Sequence, residues 1–175
     1  MSLHEVVIRI KWIMLLLFIV GGLSGWAQVR PTVSVFYLED CIICQSFTPE
    51  LNKLYKKFHG SVDFVLIFPN NRSKDKTIKE FINKYKIDIP YKTDHYKKVS
   101  SMMGVSVTPE VVLTDSLGQI IYQGAIDDSF ISPGKKRKAK NHYLQLALEA
   151  SIANKRPEIA KTQAVGCFIN YKEND

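Results

Sequence analysis

Cysteine is scarce in this sequence, with three residues in 175, beside four histidines and two tryptophans. A structural zinc site takes about four thiolate or imidazole ligands at close spacing. Cys167, His59, His95 and His142 stand at no such spacing from the Cys41, Cys44 pair, so no metal site is expected. Long hydrophobic runs are missing too. The one candidate, Trp12 to Val20, falls short of the roughly 20 residues that span a bilayer and is followed by Gly21-Gly22. Leu23-Ser24-Gly25 lacks the cysteine a lipobox would need, because Trp26 stands there, and no internal repeat or low-complexity segment occurs. Although the formal net charge is +7, no nucleic-acid motif accompanies it, and the basic run Lys135-Lys136-Arg137-Lys138-Ala139-Lys140 reads as a solvated loop.

What is present begins with a targeting pattern. Arg9 and Lys11 precede the apolar run, and small residues follow up to Ala27, the order of basic, apolar and cleavage regions in a secretory signal. Residues 1–27 are therefore expected to be cleaved, leaving an exported, extracytoplasmic or periplasmic protein beginning near Gln28, with no membrane span. Residues 28–156 are long enough for one domain with a real core, and 157–175 form a tail expected to pack on it through Val165, Phe168 and Ile169.

Patterning predicts an α/β fold. Thr32 to Leu38 is β-branched and aromatic and reads as a buried strand; Ile43, Phe47, Leu51, Leu54, Tyr55 and Phe58 then recur at helical spacing. Val62 to Phe68 reads as a second strand, Lys76 to Tyr85 as an amphipathic helix and His95 to Met103 as a shorter one. Val105 to Thr114 and Gln119 to Gly124 read as a hairpin turning at Asp115-Ser116-Leu117-Gly118, Ala125 to Lys140 as a loop, and Asn141 to Ala153 as a final helix.

The chemistry concentrates at Cys41-Ile42-Ile43-Cys44, where a strand runs into a helix N-terminus. A bridge closing so short a loop adds little to stability, so its value should be chemical. Free backbone N–H groups and the positive end of the helix dipole favour a thiolate there, while Glu39 and Asp40 oppose it.

This arrangement, with Pro49 five positions after Cys44 and with Val107-Thr108-Pro109 opening a later strand, resembles the thioredoxin superfamily. Tyr37-Leu38-Glu39-Asp40-Cys41, Thr108-Pro109-Glu110-Val111, Tyr122-Gln123-Gly124 and Val165-Gly166-Cys167 are similar to a branch of bacterial envelope redoxin-domain proteins. The resemblance implies an α/β/α sandwich around a central mixed sheet and a thiol-disulfide oxidoreductase without a cofactor. It implies Cys41 as the attacking thiol at the more exposed end of the helix and Cys44 as the resolving thiol. It also implies a cis bond before Pro109 that leaves the Thr108 backbone to pair with substrate. Glu110 is a candidate proton shuttle for Cys44 or else a solvent-facing strand residue. Cys167 is either a buried inert thiol or an auxiliary one. The expected partners are protein thiols or disulfides and an envelope electron donor.

Several features depart from thioredoxins themselves: Asp40 replaces the tryptophan before the first cysteine, Ile42-Ile43 replaces Gly-Pro, and Val35 stands where they bury an aspartate. Two alternatives stay open on the same fold. Copper delivery uses two cysteines and a distant histidine, but with the cysteines usually three residues apart. A peroxiredoxin-like peroxidase needs Pro and Thr or Ser where this chain has Ser34 and Leu38.

Overall fold

The computed structural model describes residues 29–172, so the expected signal segment lies outside the described residues. The chain order is β1 (Thr32–Phe36), α1 (Ile42–Phe58), β2 (Asp63–Phe68), α2 (Asp75–Tyr85), β3 (Tyr91–Thr93), α3 (Lys98–Met102), β4 (Val107–Thr108), β5 (Glu110–Thr114), β6 (Ile120–Gly124), β7 (Phe130–Ser132), β8 (Lys135–Lys136), α4 (Tyr143–Ile152) and β9 (Cys167–Phe168). A five-stranded sheet has the order β3-β2-β1-β5-β6. β1 pairs parallel with β2 and β2 with β3, whereas β5 runs antiparallel to both β1 and β6. The sheet is mixed, and the fold is thioredoxin-like.

Alternation along the strands builds two cores. Val33, Val35 and Tyr37 face the same side as Phe64, Leu66, Phe68, Val111 and Leu113. There they meet Ile43, Phe47, Leu51, Leu54 and Phe58 of α1, Ile78 and Phe81 of α2, and Leu144, Ala147 and Leu148 of α4. Phe36, Ile67 and Val112 face the other side and form a smaller cluster with Val105 and Ile169, with Val99 and Met103 packed against it. The second helical layer of the sandwich is thus one short helix, and the C-terminal tail completes its cover.

Three elements differ from the sequence expectation. The strand expected over 105–114 is broken at a cis Thr108–Pro109 bond into β4 and β5, and β4 belongs to a separate two-stranded sheet with β9. Tyr91–Thr93 is an added parallel strand whose three residues were too few to show alternation. The loop expected at 125–140 contains the β7–β8 hairpin, in which Gly134 turns the chain at φ 78°. Its basic run stays exposed, as read from the sequence, but Arg137 is tied to Asp128 at 2.7 Å.

Leu51 is fully buried at the middle of α1. Leu51→Ala is expected to lower stability by about 2–5 kcal/mol, read as a reduced urea midpoint at unchanged m-value.

Candidate active site

The site stands where β1 leaves the sheet. Tyr37 N donates to Ile67 O at 2.8 Å, extending the strand's pairing by one residue, after which Leu38 to Asp40 turn the chain and Cys41 becomes the N-cap of α1. No side chain caps this helix and its first turn holds no acidic residue, so the N-terminal N–H groups and dipole are left to act on the sulfur. Glu39 is directed elsewhere: its carboxylate accepts from Ser73 Oγ at 2.7 Å and Thr77 Oγ1 at 2.9 Å. Pro49 lies inside α1, where its missing N–H removes one helical hydrogen bond.

The opposite wall comes from the β1–β5 register. Phe36 pairs with Glu110, so the chain enters β5 beside the point where β1 exits, and the cis Thr108–Pro109 bond faces the cysteine turn. The Thr108 carbonyl oxygen lies 3.4 Å from Cys41 Sγ. Thr108 and Pro109 are both buried.

The disulfide joins Cys41 to Cys167, with a Cα–Cα separation of 6.3 Å, and Cys44 is free. The disulfide bears on two sequence expectations. Cys41 is the more accessible of the Cys-x-x-Cys pair, but only narrowly: with the tail laid over it, 2% of its surface is accessible, against none for Cys44. Of the two readings of Cys167, the buried free thiol is not what the structure has, since Cys167 occupies the bonding position that Cys-x-x-Cys spacing had suggested for Cys44. Sequence separation of 126 residues hid this contact; the signal that pointed to it was an odd cysteine among apolar tail residues.

Cys44, one helical turn behind Cys41, is fully buried. Its sulfur accepts a hydrogen bond from Leu38 N at 3.5 Å, and its carbonyl oxygen accepts from the Tyr37 hydroxyl, which also lies 3.0 Å from Thr48 Oγ1. Burial pushes the Cys44 thiol up to about 12, with the Asp40 charge adding to the effect and the Leu38 N–H opposing it. Burial likewise holds the Tyr37 hydroxyl far above its usual range.

Glu110 is not solvent-facing. It is buried, accepting from Ser106 N at 3.1 Å and Gln123 Nε2 at 2.9 Å, and Gln123 Nε2 also reaches Met103 O at 3.2 Å. These bonds brace the turn that carries Val107-Thr108. Among the described residues no group of three or more His, Cys, Asp or Glu gathers as a metal-ligand set, and no helix is long and apolar enough to cross a membrane. A cleft of about 650 Å³ opens between the β4 turn and the tail, lined by Ser106, Glu110, Gln123, Gly166 and Phe168 among others but by neither bonded cysteine.

Comparison with known proteins agrees with this geometry. The family described as thioredoxin-like matches residues 30–120, just over half of the sequence, and the chain belongs to that family. A thiol:disulfide interchange protein TxlA homolog of Synechocystis sp. is 36% identical over 63 residues, which span 35% of this chain and 33% of the relative. The chain therefore matches about a third of that relative's length. A hypothetical protein of Sinorhizobium meliloti 1021 has a similar structure, with TM-score 0.75 at 20% identity over 84% of this chain and 82% of its own. A secreted Mycobacterium tuberculosis disulfide oxidoreductase homologous to E. coli DsbE superposes with TM-score 0.52 at 20% identity, over 73% of this chain and 83% of its own.

The elevated Cys44 thiol gives a pH signature. Raising the pKa of an acid favours its protonated form, so the thiolate fraction at pH 8 is about 10⁻⁴, against roughly a quarter for an unperturbed thiol. With the Cys41–Cys167 bond intact, the logarithm of the Cys44 alkylation rate is expected to climb at unit slope past pH 9, where an ordinary thiol levels off. A plateau near pH 9 in rates followed by mass spectrometry would contradict it.

Proposed function

We propose that the protein is an exported thiol-disulfide oxidoreductase that reduces or isomerises disulfides in envelope proteins. One observation carries this reading: Cys41 is held in a disulfide at the N-terminus of α1, 3.4 Å from the Thr108 carbonyl, with a second cysteine one turn behind it. That is the geometry of a mixed disulfide awaiting resolution. The name of the Synechocystis relative and the secreted status of the mycobacterial one support the activity and the compartment. Residues 1–27 act as the cleaved signal, 28–156 as the catalytic domain and 157–175 as the tail.

In the reducing direction the Cys41 thiolate attacks a substrate disulfide, and one substrate sulfur leaves with the electron pair. Cys44 then gives up its proton and attacks Cys41, releasing the second substrate thiol and forming Cys41–Cys44. An envelope electron donor returns two electrons. Thr108 and Pro109 present backbone to the substrate strand, and Glu110 serves as an auxiliary group that braces this loop. Burial of Cys44 protects the mixed disulfide from premature collapse, which leaves time for isomerisation.

Two measurements test the assignment. Cys41→Ser is expected to abolish insulin reduction, whereas Cys44→Ala combined with Cys167→Ser, which leaves Cys41 unbridged, accumulates mixed disulfides through Cys41 in non-reducing gels; adducts formed through Cys44 in Cys41→Ala would reverse the roles. The mature N-terminus from its native compartment is expected at or near Gln28, and finding Met1 retained on a cytoplasmic protein would overturn the export assignment.

A further inference from the structure

The backbone beside the cis bond already has an occupant. β4 pairs in the described structure with β9 alone, antiparallel, Val107 opposite Phe168 and Thr108 opposite Cys167. The pairing continues beyond the two named residues. Ile169 N donates to Ser106 O at 3.0 Å and Thr108 Oγ1 to Cys167 O at 3.4 Å, while Lys97 Nζ reaches Asn170 O at 2.5 Å and the Tyr171 hydroxyl reaches Val105 O at 2.5 Å. This is how an extended peptide is recognised by strand addition, with main-chain bonds for affinity and alternate side chains for specificity.

The alternation is legible along the tail. Cys167 points inward to Cys41, Phe168 points out and is 84% exposed, and Ile169 points inward again, 7% exposed, into the cluster of Phe36, Ile67, Val105 and Val112. The position before the cysteine is closed to any side chain. A Cβ on Gly166 would lie 2.6 Å from the Thr108 carbonyl carbon, closer still to its oxygen, and 3.2 Å from Pro109 N. Those atoms are backbone at a cis proline and cannot step aside as a side chain could. Gly166 is thus needed for space.

We propose that the strand site on Ser106–Thr108 takes extended segments of the form Gly-Cys-x-aliphatic, and that the chain's own residues 166–169 are its resident occupant, excluding external substrates until they leave. The proposal rests on the oxidoreductase reading and names the substrate class and the self-blocking of that site. Departure of the tail needs no outside oxidant or reductant. The Cys44 thiolate attacks Cys41 Sγ, the Cys41–Cys44 bond forms, and the Cys41–Cys167 bond breaks. The electron pair leaves on Cys167, which takes up a proton equivalent to the one Cys44 released. One disulfide exists before and after. The high proton affinity of Cys44 keeps this step slow at neutral pH.

The test uses the full chain carrying Cys44→Ala and Cys167→Ser, so that Cys41 is its one thiol. The probe is a synthetic peptide of residues 164–170 with its cysteine activated as a nitrobenzoate mixed disulfide, and capture by Cys41 is followed by nitrobenzoate release. Replacing the peptide's glycine by valine, or its isoleucine by aspartate, is expected to slow capture about tenfold or more. Adding Gly166→Val to the chain, which evicts the tail, is expected to speed capture of the unaltered peptide by a similar factor. Circular dichroism checks that this variant folds, and the peptide comparison stands without it. Equal rates for all three peptides would overturn the proposal, and if Cys41 still reacted with a small aromatic disulfide the oxidoreductase reading would survive. A Cys41 inert to every disulfide, with the tail evicted, would overturn both.

Discussion

Phe36 and Glu110 lie opposite each other at one end of the β1–β5 pairing, and this register sets the position of everything chemical in the molecule. β1 is flanked on both sides, by β2 and β5, so the chain beyond it must leave the sheet rather than widen it. It leaves as the cysteine turn and α1. Because β5 is antiparallel, its entry point is the exit point of β1, and Pro109 therefore arrives beside Cys41 without any direct sequence relation between them. A one-residue slip would turn Val111 and Leu113 from the large core toward the small one and carry the cis bond away from the sulfur.

Packing makes such a slip costly. Val33, Val35, Tyr37, Val111 and Leu113 are all fully buried beneath α1 and α4, and on the other face Phe36 and Val112 are equally enclosed. The sheet is buried on both sides, which explains why its central strands read as nearly continuous apolar runs. This closely packed frame holds Cys41 at a helix N-terminus with Cys44 fully buried one turn behind it.

Much of this was legible in the residues. Helical spacing from Ile43 to Phe58, the apolar strands and the turn at Asp115 to Gly118 are local signals, and the structure has each of them. Thr108-Pro109 could be picked out because proline opens a strand in a chain that also has a Cys-x-x-Cys helix. The contacts that escaped were long-range or short in extent: the three-residue β3, the β7–β8 hairpin inside a polar loop, and above all the tail. Val165 and Ile169 advertised docking by their hydrophobicity and do pack, whereas Phe168, expected to pack with them, points out of the tail strand and is 84% exposed because strand alternation turns it away from the domain. Nothing local could say that the tail would dock as a strand on Val107-Thr108, or that Cys167 would meet Cys41 in place of Cys44. The buried Glu110 escaped for a related reason, since its partners Ser106 and Gln123 come together only when β5 and β6 are paired and the preceding turn folds back.

The tail also has a bearing on solubility. After α4 the chain runs along the outer strand of the sheet, where Gln123 N donates to Ala160 O at 2.9 Å and Thr162 N to Gln123 O at 3.0 Å, before it crosses to β4. It thus covers two strand edges in succession, one on β6 and one on β4. Uncovered edges are templates for pairing with other chains. A molecule whose tail has swung away would offer a short, bare strand beside a reactive sulfur, with the apolar seat of Ile169 open next to it. The same segment that lies over Cys41 therefore also covers the two edges at which another chain could add a strand.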